Sequence, residues 1–413
     1  MGTGAVGARP RPWLPVLRSL SRGLGIPVGS VVLAFILGGI ILVVTGADPL
    51  GAYQGLLCGG IGLACAQGEN SALQISNSIV YATPLIMCGV AVALPFRAGL
   101  FNIGAEGQLL AGTITATAIG VHFATWPALI LLPAVLIGGA IAGAFWAGIA
   151  GVLKATTGAH EVVTTIMLNY AAQWLLRFLI IGGPLQPPGV FSASAPVGNN
   201  ARLATFLPND SSVIVFGLPA TVYRVHTGLI IAIVAVVVFA ILLWRSSLGY
   251  EIRALGQSQR AARYAGVSVR LTIIVTMLIS GAFAGLAGAV QIAGVDHQMT
   301  DKYFSDTTGF DAIAVALLGL GSAVGIVLAA LLFGALHSGG AVMQSDAGIS
   351  SNLVLVLQAL ILFSIAANFL GAILRQIPGF GGQRPSAPAP RHPQTALVTE
   401  AAVAPPEEGT AIT

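Results

Sequence analysis

The sequence predicts an all-α polytopic membrane protein with about ten transmembrane helices. Of its 413 residues, 56% are hydrophobic and only 8% are charged. The apolar residues also fall in runs of about 20, the length that crosses a bilayer as a helix. The mean hydropathy of +0.90 excludes an ordinary soluble protein. The isoelectric point near 9.2 therefore reports the charge of the loops, and we expect no nucleic-acid partner.

The N-terminal segment, residues 1–26, carries four arginines before the first apolar run. No A-x-A cleavage site follows that run, which indicates a retained span and not a signal peptide. The predicted spans are 27–46, 75–95, 103–124, 127–152, 162–182, 227–244, 270–294, 309–321, 323–343 and 351–371. The eighth is too short to cross alone, which predicts a half-helix.

Positive charges set the expected topology. Fourteen of the eighteen Lys and Arg residues fall on one side of these spans and three on the other, which places the richer side and both termini in the cytoplasm. An even number of crossings follows. Residues 27–375 then form the transmembrane domain, and the Pro- and Ala-rich residues 376–413 form a disordered cytoplasmic tail. On the outer side, the long loop 183–225 is available to an extracytoplasmic partner.

The three cysteines show no metal-binding spacing, and no metal or cofactor site is expected. Cys58 and Cys65 share one predicted outer loop, where they either form a disulfide or remain two small apolar residues. Neither lysine belongs to a GxxxxGK[ST] phosphate loop, and the HExxH-like string after His160 has Thr164 in place of the second histidine. The chain therefore has no ATP-binding loop and no recognisable catalytic constellation.

The most polar stretch between two spans is Arg245–Arg270, with five arginines against the single acid Glu251. Such a stretch lies in water on the cytoplasmic side. Its middle, residues 252–264, favours a short helix, with Gly249 and Gly266 as stop signals. This stretch either only sets the orientation of the chain in the membrane or forms a helix to which a cytoplasmic partner binds.

Polar side chains inside the spans mark either a solute pathway or a helix contact. On the third span, residues eleven positions apart lie on nearly one face, because eleven residues make three helical turns. This places polar residues in a stripe that faces a partner helix or a water-filled cavity. The candidates for the pathway are Asn102, Glu106, Thr113, Asn169 and Gln173. For each of them singly, a hydrogen bond between helices is the alternative.

Two further patterns concern helix packing and symmetry. Gly281 and Gly285 form a GxxxG motif, which allows close helix packing. The strings GLFNIGAEGQLLAG, from Gly99, and GFDAIAVALLGLG, from Gly309, enter the membrane from opposite faces in this topology. They suggest an inverted repeat with interrupted helices at its centre.

Four stretches together resemble one family. They are FRAGLFNIGAEGQLLAG at 96–112, GAHEVVTTIMLNY at 158–170, GYEIRALGQSQRAARYAGV at 249–267 followed by SGAFAGLAGAV at 280–290, and GFDAIAVALLG at 309–319. This combination is similar to permease subunits of bacterial ABC importers for branched-chain amino acids, simple sugars and nucleosides. The string NIGAEGQ is similar to the nucleoside subgroup, which works with a basic-membrane-protein-type lipoprotein.

The resemblance implies a permease in the bacterial plasma membrane that pairs with a second permease, which we expect to differ in sequence. Two cytoplasmic ABC ATPase subunits and an extracytoplasmic substrate-binding lipoprotein complete the implied complex. The implied coupling helix, which docks on the ATPase, contains Arg253, Gly256, Ala261, Ala262 and Gly266. Nucleosides are the expected solutes and sugars such as ribose or galactose the alternative. From the residues alone, an ion-coupled secondary transporter is the alternative of a different class.

Overall fold

The computed structural model describes residues 14–65, 70–208 and 210–366, all within one compact unit, Met1–Leu370. The helices in these residues are α1 (Leu14–Val44), α2 (Pro49–Ile61), α3 (Ser71–Arg97), α4 (Ala105–His122), α5 (Ala128–Thr157), α6 (Glu161–Ile180), α7 (Gly228–Arg245), α8 (Ser247–Gln257), α9 (Gln259–Tyr264), α10 (Val269–Gln291), α11 (Thr308–Leu318), α12 (Ala323–Ala347) and α13 (Asn352–Ala366). One antiparallel hairpin, β1 (Ile214–Val215) with β2 (Leu218–Pro219), lies in the long connection between α6 and α7.

Seven of the described helices are long and apolar enough to cross a membrane, namely α1, α3, α5, α6, α7, α10 and α12. Two apolar helices, α11 and α13, are shorter. The polytopic helical fold is thus confirmed, and α11 has the half length expected of the eighth run. Ten crossings and the placement of both termini remain predictions.

Helix α10 lies at the centre of the bundle, where it packs most extensively against α5 and also against α3 and α4. The contact with α5 is made by glycines that face glycines. A Cβ on Gly285 would lie 2.8 Å from the Cα of Gly143, and one on Gly281 would lie 2.5 Å from the Cβ of Ala147. The GxxxG motif therefore serves the close helix packing that the sequence predicts.

The two similar strings that start at Gly99 and Gly309 meet within the bundle. Residues 98–104 before α4 and residues 297–307 before α11 are mostly non-helical. The first turns of α4 and α11 meet, with the backbone N–H of Gly309 donating to Oε2 of Glu106 at 2.7 Å. The inverted repeat stays a prediction.

Several boundaries differ from the sequence prediction. Residues 49–61, expected in an outer loop, form α2, because Asp48 caps its first turn and its glycines pack closely on α12. Helix α1 begins at Leu14, and its membrane-spanning part, Pro27–Val44, starts where the sequence predicted. Cys58 and Cys65 form a disulfide, which settles the alternative left open by the sequence. The predicted tail, 376–413, lies outside the described residues, as do residues 1–13 of the predicted N-terminal segment.

The predicted helix 252–264 is two helices. Ser246 caps α8 through a hydrogen bond from the Gly249 N–H, so Gly249 lies inside the helix and is not a stop signal. The chain breaks at Ser258, whose hydroxyl accepts the N–H of Ala261 at 3.3 Å and starts α9. Gly266 follows α9 with φ +85°, a left-handed conformation that suits glycine at a helix end, so this stop signal is confirmed.

Candidate functional site

Asn102 is the centre of a buried polar cluster in the non-helical segment before α4. Its amide donates to Oγ of Ser280 on α10 at 2.8 Å and to Oε1 of Gln108 at 3.0 Å. Its carbonyl oxygen accepts the N–H of Gly104 at 2.9 Å. The side chain is completely buried and all of these groups are polar, so the cluster fixes the segment to α4 and α10.

Asn169 on α6 attaches the same segment from the other side. Its amide donates to the Ile103 carbonyl at 2.9 Å, and its oxygen accepts the N–H of Gly107 at 2.8 Å. These two bonds satisfy backbone groups that the interruption before α4 would leave without partners. In this structure, Asn102 and Asn169 make hydrogen bonds between different segments, which is the alternative to a pathway role.

Glu106 and Thr113 are fully buried on α4. One carboxylate oxygen of Glu106 accepts the Gly309 N–H, while Oε1 has no hydrogen-bond partner among the described residues. Thr113 faces α10, where a Cβ on Gly288 would lie 2.7 Å from its hydroxyl. Asn102 precedes α4, so the helical stripe begins at Glu106 and not at Asn102. Gln173 on α6 is half-buried and lies apart from this cluster.

The α8–α9 segment, residues 247–264, projects a polar surface at one end of the bundle. Ile252, Leu255 and Ala262 are buried and anchor it. Residues 256–261 are all exposed, and Tyr264 is 94% exposed. The segment is thus packed on one face and exposed on the other.

The five residues expected in the coupling helix have different environments. The Arg253 guanidinium lies over the ring of Trp244, 4.8 Å from its centroid. Gly256 lies against the backbone that follows α3, where a Cβ would be 3.0 Å from the carbonyl carbon of Arg97. Ala262 is buried, whereas Ala261 and Gly266 are exposed. Their part in docking on an ATPase stays a prediction.

A cavity of about 650 Å³ opens at the end of the bundle opposite the α8–α9 segment. It lies between α3, α10, α11, α12 and α13, and the connection before α11 forms one wall. Its polar and charged lining residues include Gln74, Asn77, Tyr81, Arg224, Gln291, Asp296, Lys302, Asp306, Asp311, His337 and Gln358. None of the five residues predicted for the pathway lines this cavity, and their part in translocation stays a prediction.

The cavity lining combines exposed rings with hydrogen-bonding groups. The rings of Tyr81 and His337 lie 4.3 Å apart and both are exposed, so they offer a surface on which a planar base can stack. Asp306 and Asp311 supply carboxylate acceptors for hydroxyl groups. Gln358 is 6% exposed, and its Oε1 has no hydrogen-bond partner within the described residues. A solute hydroxyl or amide would satisfy it.

Sequence analysis did not single out these cavity residues. Asp311 lies in the string GFDAIAVALLG, and His337 and Gln358 are isolated polar residues in apolar runs. The cost of placing polar groups in a membrane could therefore have identified them. Their convergence could not be predicted, because it depends on how α11, α12 and α13 pack.

Before α7, the pKa of His226 is lowered to about 4, first by burial and then by the nearby charges of His297 and Arg224. Burial also lowers the pKa of His297, followed by the charge of Arg202. The His226 imidazole is therefore neutral at pH 7. Beside them, Lys302 pairs with Asp296 at 3.0 Å.

The family described as the permease component of the branched-chain amino acid transport system matches residues 74–366. The chain is 38% identical over 349 residues to a glucose ABC transporter permease of Haloferax volcanii, covering 84% of this chain and 88% of the relative. It is 38% identical to a guanosine ABC transporter permease of Bacillus subtilis, with 83% and 93% covered. It is 35% identical to a nucleoside ABC transporter permease of Lactococcus lactis, with 86% and 93% covered. No solved structure matches the chain.

Proposed function

Because the chain belongs to the family of branched-chain amino acid transport system permease components, we propose that it forms half of the solute pathway of an importer for nucleosides. The protein is an ABC importer permease of the inner membrane, and hydrolysis of ATP belongs to a separate subunit. Such a permease works with ATPase and substrate-binding partners. This chain does not hydrolyse ATP itself, so its own task is to bind, guide and release the solute.

The observation that carries the proposal is the polar cavity in a bundle otherwise built of apolar helices. A volume of about 650 Å³ lies within the range of small-molecule sites. Nucleosides present a base and a sugar diol, and the cavity offers exposed rings beside carboxylates. Asn102, Glu106, Thr113, Asn169 and Gln173 remain proposed for the deeper pathway.

The proposed partners follow from the two ends of the molecule. The exposed α8–α9 segment is proposed to lie in the cytoplasm and to dock on the ABC ATPase through the surface around Gly256 and Ala261. The cavity end is proposed to receive solute from an extracytoplasmic lipoprotein. We propose a second permease of different sequence as the other half of the pathway. Affinity purification followed by mass spectrometry would identify all three.

Simple sugars are the second candidate, because the glucose permease relative is as similar to this chain as the guanosine permease. Both solute classes contain a hydroxylated ring, so the carboxylates of the cavity suit either. The exposed Tyr81 and His337 rings favour nucleosides, since a base has a planar face and glucose does not. Uptake experiments with both classes therefore decide between them.

The test uses the complete importer in sealed vesicles with radiolabelled guanosine, ribose and glucose. We expect guanosine uptake that requires ATP and that persists when an ionophore removes proton and sodium gradients. Uptake of ribose or glucose in preference to guanosine would replace the nucleoside proposal with the sugar proposal. Uptake by this chain alone, driven by an ion gradient without ATP, would refute the importer proposal.

A further inference from the structure

We propose that residues 97–106 pass the movement of the α8–α9 segment to α11, with Arg97 as the positioning residue. This inference rests on the proposed function, since it assumes a cycle driven from that segment. In this mechanism α11 is a short lever that separates the cavity from the α8–α9 end. Its pivot is the contact between Glu106 and Gly309, and the force reaches its other end through Arg97.

The 97–106 segment holds both ends of α11. At the C-terminal end, Nη2 of Arg97 donates to the carbonyl oxygens of Leu320 at 3.1 Å and Gly321 at 2.9 Å. At the N-terminal end, Glu106 accepts the Gly309 N–H at 2.7 Å. A cation at the carboxyl end of a helix complements the helix dipole. Arg97 supplies that cation, and the hydrogen bond to Glu106 holds the amino end.

Arg97 is the last residue of α3, but its side chain binds the turn that follows a different helix, α11. It lies in the last turn of α3, where a cation could serve the carbonyls of that same helix. The Arg97 guanidinium instead donates hydrogen bonds to the turn after α11. In that turn Leu320 has φ +52° and Gly321 has φ +59°, so the backbone is already held in the left-handed region. Arg97 thus joins the ends of α3 and α11.

The pivot is a contact between two backbones. A Cβ on Gly309 would overlap the backbone of Glu106, so no side chain separates the first turns of α4 and α11. The hydrogen bonds of Asn102 to Ser280 and of Asn169 to Ile103 fix the adjoining part of the segment to α10 and α6. This end therefore stays in place when the Arg97 end is displaced.

Helix α8 rests directly on the movable end. Gly256 contacts the backbone of Arg97, and a Cβ on Gly99 would lie only 3.5 Å from the Gly256 Cα. A displacement of α8 would therefore be passed to Arg97 without an intervening flexible side chain. The hydrogen bonds of Asn102 and Asn169 fix the residues that follow Arg97. The Arg97 guanidinium would therefore transmit the displacement to the C-terminal end of α11.

Movement of α11 would affect the cavity because its first turn belongs to the wall. Thr308 and Asp311 line the cavity, whereas Ala312, Val315 and Leu318 are buried beyond it. At 1.5 Å per residue, the eleven residues of α11 span roughly 16 Å between cavity and α8–α9 end. A tilt about Gly309 would open a route along the helix.

The test compares Arg97→Gln with the wild-type chain in the complete importer, reconstituted in vesicles. Gln is shorter than Arg and carries no charge, so its amide cannot reach the two carbonyls that Nη2 of Arg97 binds. We expect ATP hydrolysis to continue while solute uptake per ATP falls by roughly tenfold. Arg97→Lys keeps the charge on a shorter side chain and should fall between the two. The control is Arg177→Gln, an exposed arginine in the last turn of α6, which should match the wild type.

A second readout separates lever movement from loss of structure. In Leu317→Cys, a half-buried position of α11, an impermeant thiol reagent applied at the cavity end should react faster after ATP is added. The native cysteines give little background, because Cys58 and Cys65 are bonded and Cys88 is buried. Adding Arg97→Gln should abolish this increase in rate.

The inference is overturned if Arg97→Gln retains wild-type uptake per ATP, or if hydrolysis and uptake fall equally together with thermal stability. If Arg97→Gln does not assemble, Arg97→Lys decides, and an unchanged ratio of uptake to hydrolysis overturns the inference. Failure of the wild-type importer to take up solute with ATP would instead refute the proposed function.

Discussion

Gly256→Ala tests whether the contact between α8 and the end of α3 requires a residue without a side chain. In the structure, the added Cβ would lie 2.2 Å from the carbonyl oxygen of Arg97 and 3.2 Å from the carbonyl carbon of Ala98. Both neighbours are backbone atoms, which cannot rotate away as a side chain can. Helix α8 must therefore move outward by about 1 Å to restore ordinary contact.

The size of the effect follows from that displacement. Overpacking of a close contact costs about 1–3 kcal/mol, so the variant should fold and assemble with reduced thermal stability. Changes along a coupled network alter coupling by about 0.5–2 kcal/mol, which corresponds to a decrease of roughly 2- to 30-fold in uptake per ATP. Hydrolysis itself should continue, because the ATPase active sites are in another subunit.

The assay measures ATP hydrolysis and guanosine uptake in the same vesicles. Gly25→Ala is the matched control, because a Cβ there meets no atom within 4 Å and should change neither quantity. Wild-type uptake per ATP in Gly256→Ala, with the variant fully incorporated, would show that the close contact has no part in coupling. Equal loss in the control would show that the effect is not specific to α8.

Three further predictions concern packing, pH and the cavity. Gly285→Ala should lower the melting temperature of the purified protein, because its Cβ would overlap the Gly139 carbonyl in the α5–α10 contact, and an unchanged value would contradict the packing argument. As the pH falls from 6.5 to 4, the depressed pKa of His226, about 4 when folded, should destabilise the folded state by about 3 kcal/mol. His226→Asn, which keeps an acceptor for the Gly228 N–H, should lose less stability between pH 7 and pH 5, and an equal loss would assign the effect to other groups. His337→Ala should raise the KM for guanosine uptake by about 2- to 10-fold through lost stacking and that for ribose by less, whereas equal changes would place the base elsewhere.

The sequence predicted the membrane class, the half-length of α11 and the packing role of the GxxxG pair. These features depend on local composition and on spacing along the chain, which a sequence displays directly. It also identified Asn102 and Asn169 as exceptional, since amides are costly inside a membrane. It could not assign their partners, because Ser280 and Ile103 are brought to them by helices far apart in the chain.

The sequence by itself determined where the chain is apolar, where it carries its arginines and where glycine allows close approach. Only the tertiary structure decided that Arg97 binds the end of α11, that Glu106 meets Gly309, and that Asp311, His337 and Gln358 line one cavity. The physical reason is that each of these contacts joins helices whose separation along the chain carries no information about their distance in space. Helix lengths and interruptions are local properties, whereas the partners of a buried polar group are chosen by packing.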